Sequence, residues 1–379
     1  MRWSFRVARI AGIDVNVHAT FGLIVALGAL QWSGHHGARG ALFGAALMLA
    51  LFACVALHEL GHSLVARRFG LTVREILLLP IGGVAMFAGR PQKPLHELLI
   101  ALAGPAVNVV LAAVLLVVTG ALGLLSELPS LGTGASPSLP TALLWLLGAN
   151  VALAVFNMIP ALPLDGGRVL RAGLSMAIGP ARATSAAAAI GQVIAVALFA
   201  LAVLSGHLVL AFISVLVFLG ATQERTTERA RSILGVVPVG RAYNRRAIAL
   251  SPCDRVSDAA EHILTTYQTD FAVLLDGQPI GALTRGDVVR ALAEGASGAY
   301  VAGIMRRDVP RVSAERSLDD VMRLMSEKSA PVAAVYDGER YLGLISQEDI
   351  AEALALLQFL PASRPGGAAS PAAPRTQWT

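Results

Sequence analysis

The 379-residue sequence has few charged residues, very little lysine and only two cysteines. Asp, Glu, Lys and Arg make up 15% of the chain, against about 25% in ordinary soluble domains. Residues 1–223 hold only 18 of the 55 charged residues, which excludes an ordinary soluble enzyme for that part but not for residues 224–379. Cys54 lies in an apolar run and Cys253 in the charged part, so we expect no disulfide between them.

Long uncharged windows dominate residues 1–223, and a membrane-spanning helix needs about 20 apolar residues. A Ser-Gly-His sequence at 205–207 divides the last window, and a loop rich in Pro, Gly and Ser opens the fourth. We therefore predict six spans, near residues 15–32, 41–66, 96–121, 141–159, 184–204 and 207–222. The expected fold class is a polytopic α-helical membrane protein.

Basic residues are distributed unevenly over the connections between the predicted spans. The connections on the side of the two termini carry eleven of them: Arg2, Arg6, Arg9, Arg67, Arg68, Arg74, Arg90, Lys93, Arg168, Arg171 and Arg182. The opposite connections carry only Arg39. Basic flanks stay in the cytoplasm, so we expect a multi-pass protein of the cell membrane with both termini cytoplasmic. A cleavable signal peptide is the alternative for the first span, but its apolar run is long and lacks a clear cleavage site.

The net charge of +5 comes mostly from the basic residues that flank the predicted spans. No basic run is interleaved with aromatic residues. We therefore expect no nucleic-acid partner.

The second predicted span contains His58-Glu59-Leu60-Gly61-His62, the H-E-x-x-H pattern. On a helix, His58 and His62 lie about 40° apart and one turn along the axis, so both imidazoles can reach one ion. Glu59 lies about 100° round from His58 and can act on a metal-bound water without being a ligand. The short pattern also arises by chance. Three ionisable groups in an uncharged span are costly without a partner, however, and a zinc ion supplies one.

Catalytic zinc usually takes three protein ligands, so two histidines leave one ligand to be found. Asp165 is the only acidic residue in residues 128–223, and prolines and glycines around it predict irregular chain just after the fourth span. The second and fourth predicted spans run in the same direction, which brings Asp165 and the histidine pair to a similar depth. Asp165 is therefore the candidate third ligand. The alternatives are that it only starts the next segment or pairs with Arg168.

Residues 1–223 resemble the site-2 protease family of intramembrane zinc metalloproteases. Four stretches carry the resemblance in the family's order: His58–His62, Gly82–Met86, Ala103–Asn108 and Asn157–Arg168. The resemblance implies one Zn²⁺ per chain, held by His58, His62 and Asp165, with Glu59 as general base and acid. It also implies cleavage of a transmembrane segment of another protein, such as an anti-sigma factor or a signal-peptide remnant.

Two further features have both a catalytic and a structural interpretation. Asn157 matches a family asparagine that orients substrate or stabilises an oxyanion, whereas a helix–helix hydrogen bond is the alternative. For Asn108 and Asn150 we favour the helix–helix hydrogen bond. Gly82–Met86 resembles the family's small membrane-associated β segment, which pairs with an unwound substrate; the alternative is a simple glycine turn.

A repeat with an offset of 62 residues occupies the charged part of the chain. Its clearest members are Gly281–Asp287 and Gly343–Asp349. Each copy predicts an amphipathic helix, two short strands and a second helix. The repeat resembles a tandem pair of α+β CBS domains, at residues 245–302 and 303–360. A linker at 224–244 precedes the pair, and a disordered tail at 361–379 follows it.

A hydroxyl after a strand and an aspartate opening a helix recur in both copies, as Thr284 with Asp287 and Ser346 with Asp349. Such pairs can contact phosphate and ribose groups, and ordinary N-capping is the alternative. The CBS resemblance implies ATP, ADP or AMP as the ligand. CBS pairs also often self-associate, so we expect that a homodimer can form.

These observations together predict an intramembrane zinc protease whose activity is modulated by an adenine nucleotide. The main alternative is a CBS-gated membrane transporter or channel with a structural metal site, and it leaves Glu59 without a task. A zinc-binding scaffold that has lost catalysis is a third interpretation, against which the intact Glu59 argues.

Overall fold

The computed structural model describes residues 3–80, 82–89, 91, 93–126, 135–245, 247–266 and 268–359. The chain divides into two compact units, residues 1–229 and 230–379. The predicted tail at 361–379 and the last residue of the predicted second CBS domain lie outside the described residues.

The first unit consists of long apolar helices and a small sheet. Its helices are α1 (Phe21–Arg68), α2 (Pro94–Ala121), α3 (Leu139–Asn157), α4 (Asp165–Ile178), α5 (Pro180–Ser205) and α6 (Leu208–Leu234). In the part of the chain that the structure describes, five of these, all except α4, are long and apolar enough to cross a membrane. The predicted polytopic helical fold is therefore confirmed.

Helix α1 is two antiparallel segments rather than one rod. Its 48 residues would measure about 72 Å, more than twice the thickness of a bilayer core. The backbone breaks at Gly37, whose φ of 55° is left-handed. The two segments then pack closely, because a Cβ on Gly44 would lie 2.2 Å from the Gly28 carbonyl oxygen. The long helices thus supply six segments of the predicted kind.

One predicted boundary is wrong, and one helix is longer than its predicted span. The first helix begins at Phe21 instead of near residue 15, because Ile13–His18 forms a strand in which apolar and polar side chains alternate. The last helix continues past the predicted span, which ends near residue 222, to Leu234. Residues 223–234 contain two Glu and three Arg, which favour a helix but are too charged to remain in a membrane.

A four-stranded sheet lies beside the helices, with the order β1 (Ser4–Ile10), β2 (Ile13–His18), β3 (Thr72–Leu79) and β4 (Gly82–Ala88). Strands β2 and β3 run parallel, and the other neighbours run antiparallel. Strand β4 contains the predicted β segment and forms one edge of the sheet. Among the described strands it pairs only with β3.

The second unit repeats one α+β arrangement. The first copy has β5 (Ala249–Leu250), α7 (Val256–Thr266), β6 (Asp270–Leu275), β7 (Gln278–Thr284) and α8 (Arg285–Ala293). After a short α9 (Val301–Ile304), the second copy has β8 (Arg311–Ser313), α10 (Leu318–Glu327), β9 (Val332–Asp337), β10 (Arg340–Ser346) and α11 (Gln347–Leu357). Strands β6 and β9, and likewise β7 and β10, are offset by the predicted 62 residues. Apolar side chains of both sheets share one buried cluster.

Candidate metal centre

Three buried side chains from two distant stretches of sequence meet inside the first unit. His58 and His62 lie on α1, and Asp165 is the first residue of α4. The Nε2 atoms of the two imidazoles are 3.1 Å apart, and each lies 3.2 Å from Asp165 Oδ2. All three side chains are more than nine-tenths buried. The structure thus brings together the three residues that the sequence and the family resemblance nominated.

The spacing of these donor atoms fits zinc. Tetrahedral zinc binds nitrogen and oxygen at about 2.0–2.1 Å, which places neighbouring donors about 3.3–3.4 Å apart. The observed separations of 3.1–3.2 Å differ from that by only 0.1–0.3 Å. Two imidazoles and one carboxylate are also a ligand set used by catalytic zinc, which keeps its fourth position for water or substrate.

Hydrogen bonds to the far side of each ring orient the two imidazoles. His58 Nδ1 lies 2.5 Å from Asn108 Oδ1, and His62 Nδ1 lies 2.6 Å from the Ile100 carbonyl oxygen. Both partners are acceptors, so each Nδ1 donates a proton and each Nε2 keeps its lone pair. Metal-binding histidines are commonly fixed in this way.

The partner of His58 belongs to a longer network. Asn108 Nδ2 donates to Asn150 Oδ1 at 2.9 Å, and Asn150 Nδ2 donates to the Leu146 carbonyl at 2.9 Å. Both asparagines are completely buried. They do join helices α2 and α3, as expected, but Asn108 also orients a zinc-site histidine. This second role was not predicted from the sequence, because a buried asparagine gives the same signal whether it joins two helices or orients a ligand.

A glycine of α2 makes room for the two imidazoles. A Cβ on Gly104 would lie 2.2 Å from His62 Nε2 and 2.6 Å from His58 Nε2. Gly61 allows α1 and α2 to approach, since its Cβ would lie 2.9 Å from the Ala103 carbonyl oxygen. The Ala-Gly-Pro-Ala-Val-Asn stretch therefore packs directly against the H-E-x-x-H helix.

Small residues of α5 and α6 support the loop that carries Asp165. Ala161 and Leu162 are completely buried in this loop. A Cβ on Gly191 would lie 3.0 Å from the Leu162 nitrogen, and one on Gly220 would lie 2.6 Å from Pro163 Cγ. Asp165 does start a new helix, as the alternative held, but its carboxylate contacts the imidazoles. Among the described residues, Arg168 forms no ion pair with it.

The two proposed catalytic side chains differ in what surrounds them. Glu59 is partly buried and lies against β4, because a Cβ on Gly83 would be 2.4 Å from Glu59 Cγ. Asn157 ends α3 and is also partly buried. In the part of the chain that the structure describes, no hydrogen bond joins Asn157 to His58, His62 or Asp165.

The four candidate nucleotide ligands form two capping boxes, as the N-capping alternative requires. Thr284 and Asp287 cap α8, and Ser346 and Asp349 cap α11. The two pairs otherwise differ. Arg306 donates to Asp287 through Nε at 2.8 Å and through Nη2 at 2.9 Å. Burial opposes ionisation of Asp287, but the hydrogen bonds from Arg306 and Thr284 outweigh it and lower its pKa.

The second pair instead borders a cavity of about 500 Å³. Ser346 and Asp349 line it together with Asp270, Glu348 and polar groups from the other copy of the repeat. Burial, together with the neighbouring charges of Glu348 and Asp349, raises the pKa of Asp270 to about 6. The two copies therefore offer unequal sites, one closed by an arginine and one open and acidic.

The sequence is similar to known protein families and to individual proteins. The profile of peptidase family M50 matches residues 46–126 and 125–201, and the CBS domain profile matches residues 301–356. A zinc metalloprotease of Methanocaldococcus jannaschii is 32% identical over 361 residues, covering 95% of this chain and 98% of that protein. Stage IV sporulation protein FB of Bacillus subtilis is 29% identical over 159 residues, covering 42% of this chain and 46% of that protein.

A solved structure of a site-2 protease from Methanocaldococcus jannaschii is also similar. It is 37% identical, with a TM-score of 0.45, over 59% of this chain and 95% of that one. The assignment itself depends on the sequence relative that matches almost end to end. The chain therefore belongs to peptidase family M50 and is an intramembrane zinc metalloprotease of the site-2 protease type.

Proposed function

We propose that this protein hydrolyses a peptide bond in the transmembrane segment of another protein, with zinc held by His58, His62 and Asp165. The observation that carries the proposal is the convergence of three buried donor atoms within 3.2 Å of one another. When bound, zinc lowers the pKa of a coordinated water towards about 7 and polarises the substrate carbonyl. A CBS-gated transporter finds no support in the family comparisons.

Glu59 moves the proton in this proposal. It takes the proton of the attacking water and delivers it to the leaving nitrogen, so the same carboxylate acts first as base and then as acid. Asn157 donates its amide hydrogen to the substrate carbonyl oxygen as negative charge develops there. The two imidazoles keep their orientation throughout because their outer hydrogen bonds fix them, and the packing of its loop places Asp165.

Strand β4 is suited to hold the substrate open. A transmembrane helix exposes no free peptide bond, so the substrate must unwind before hydrolysis. The edge of β4 can accept an extended chain by strand addition. Because Gly83 of this strand contacts Glu59, a paired substrate would lie beside the catalytic carboxylate.

Substitution of Glu59 separates catalysis from metal binding. We expect Glu59→Gln to keep one zinc per chain and to lose cleavage of a co-expressed membrane substrate. Asp165→Ala is the matched variant, and we expect it to lose zinc. Substrates of the anti-sigma-factor and signal-peptide-remnant classes are the first to test. Retained cleavage by Glu59→Gln would contradict the proposed base, and retained zinc in Asp165→Ala would contradict the ligand set.

We further propose that both termini are cytoplasmic, on the strength of the uneven distribution of basic residues. Cys253 is exposed in the second unit, and Cys54 lies within α1. In a Cys54→Ser variant, a membrane-impermeant maleimide should label Cys253 only after the cells are broken. Labelling of intact cells would reverse the orientation.

An adenine nucleotide is the proposed regulatory ligand of the CBS pair, bound in the open cleft beside Ser346 and Asp349. The support is that this pair borders a cavity of about 500 Å³, whereas Arg306 already occupies Asp287. The acidic lining repels bare polyphosphate, so we expect ATP to require Mg²⁺.

Calorimetric titration of the full chain in detergent tests this site. Ser346→Ala with Asp349→Asn should abolish binding of AMP and Mg·ATP, whereas Thr284→Ala in the closed copy should leave it unchanged. Bound nucleotide should also alter the cleavage rate. Absence of binding to the unsubstituted protein would leave the CBS pair with a structural role. We also propose that the chain can form a homodimer, and the molar mass of the same samples in analytical ultracentrifugation tests this.

A further inference from the structure

A buried arginine near the metal centre has no role in the chemistry described so far. Arg171 lies on α4, six residues after Asp165, and is only 7% exposed. Its Nε donates to Glu97 Oε1 of α2 at 2.8 Å, and its Nη2 contacts the same oxygen. Its Nη1 donates to Glu224 Oε2 of α6 at 3.1 Å. One guanidinium therefore joins three helices.

Helix α2 relates this arginine to the zinc ligands. Glu97, Ile100, Gly104 and Asn108 lie within about 80° of one another around that helix, at 100° per residue. Three of them contact or orient the two imidazoles, and the fourth binds Arg171. The face of α2 that fixes the histidines thus also fixes α4, the helix that begins with the third ligand.

Glu224 adds a second attachment with a different origin. Glu224 lies on α6, so this ion pair joins α4 to a different helix from the one that carries Glu97. The placement of α4 therefore depends on α6 as well as on α2.

The surroundings of the ion pairs leave space for adjustment. A cavity of about 110 Å³ borders Glu97, Arg171 and Glu224. A tightly packed arginine could not change its partner without a clash, whereas this one has free volume beside it. The ion pairs can therefore respond to a displacement of α6.

We propose that Arg171 is a positioning residue that keeps Asp165 within coordinating distance of the two imidazoles, and that its ion pair with Glu224 makes zinc affinity depend on the placement of α6. The proposal depends on the ligand set assigned under the proposed function. It predicts an effect on metal binding although none of these three charged residues touches the metal.

Zinc affinity of the full chain in detergent, measured by competition with a chelator, tests the proposal. Arg171 contacts no zinc ligand directly, so we expect Arg171→Gln to weaken zinc binding about tenfold, the lower end of the loss that follows from removing an outer partner of a ligand. Arg171→Lys, which keeps the charge but cannot span both carboxylates, should recover part of the loss. Glu224→Gln should weaken binding less, because the Glu97 pair remains. Arg182→Gln is the matched control, since Arg182 is an exposed arginine at the start of α5.

Two further measurements separate the possible outcomes. Excess zinc should restore cleavage by the Arg171→Gln variant. It would not restore cleavage if the substitution had only unfolded the protein. If Arg171→Gln does not fold, Glu224→Gln decides, because its remaining ion pair keeps α4 attached. Unchanged zinc affinity in a folded Arg171→Gln or Glu224→Gln variant would overturn the proposal. Retained zinc in Asp165→Ala would instead refute the ligand set on which it rests.

Discussion

Replacing Gly104 by alanine tests the metal centre through a single methyl group. The added Cβ would lie 2.2 Å from His62 Nε2, whereas ordinary contact begins at 3.4 Å. The imidazole must therefore retreat by about 1.2 Å (3.4 minus 2.2). Ligand distances in a zinc site tolerate only about 0.2 Å, so the variant cannot keep both histidines in place. We expect zinc affinity to fall about 100-fold or more, beyond the usual loss from an outer partner.

The fold should survive this change. Alanine favours a helix by about 1 kcal/mol over glycine, and overpacking typically costs about 1–3 kcal/mol. The net cost is therefore about 0–2 kcal/mol, which is small beside the typical stability of a folded protein, so the loss of zinc would not reflect unfolding. Gly120→Ala in the same helix is the matched control, because its Cβ would make an ordinary 3.7 Å contact. Elemental analysis and thermal unfolding with and without chelator measure both effects. A Gly104→Ala protein that binds zinc as tightly as the unsubstituted chain would refute the assigned geometry.

Three other substitutions have defined outcomes. Asn108→Ala removes the acceptor of His58 Nδ1 and should weaken zinc binding about 10–100-fold in chelator competition; unchanged affinity would contradict the orienting role. Gly83→Ala should displace Glu59 and lower turnover at least tenfold with zinc content unchanged, and wild-type kcat would contradict the contact. Burial and acidic neighbours raise the pKa of Asp270 to about 6. Between about pH 4 and 6 the folded state therefore keeps a proton that the unfolded state has lost, so the free energy of unfolding falls as the pH rises. Asp270→Asn should therefore stabilise the chain by about 1–2 kcal/mol at pH 7.5 but not at pH 4, in thermal unfolding at both pH values; equal stabilisation at both would contradict the shift.

Hydropathy and spacing predicted most of the first unit because membrane helices are identified by length and charge alone. They misplaced the start of the first helix, because the residues after Asp14 carry no charge and merge with the following uncharged run. The alternating pattern of Ile13–His18 indicates a strand, but only pairing with β1 and β3 stabilises a six-residue segment of that kind. The repeat offset placed the elements of the second unit well, because two copies provide independent evidence for the same arrangement.

The outer parts of the site could not be read from the sequence. A buried asparagine gives the same signal whether it joins two helices or orients a ligand, and Asn108 does both. The sequence places Arg171 among several basic residues that flank the predicted spans, but it is buried between two glutamates. The closure of Asp287 depends on Arg306, which lies outside the repeated motif.

The division of the ligands between two helices has a mechanical consequence. His58 and His62 are one turn apart on α1, so their separation is fixed by the helix itself. Asp165 reaches them from α4, and its distance depends on how α4 packs against α2 and α6. With the proposed ligand set, zinc affinity would therefore depend on helix packing as well as on ligand chemistry. A shift of α4 by a few tenths of an ångström would change the distance from Asp165 to both imidazoles, and zinc affinity in the Arg171 and Glu224 variants measures that effect.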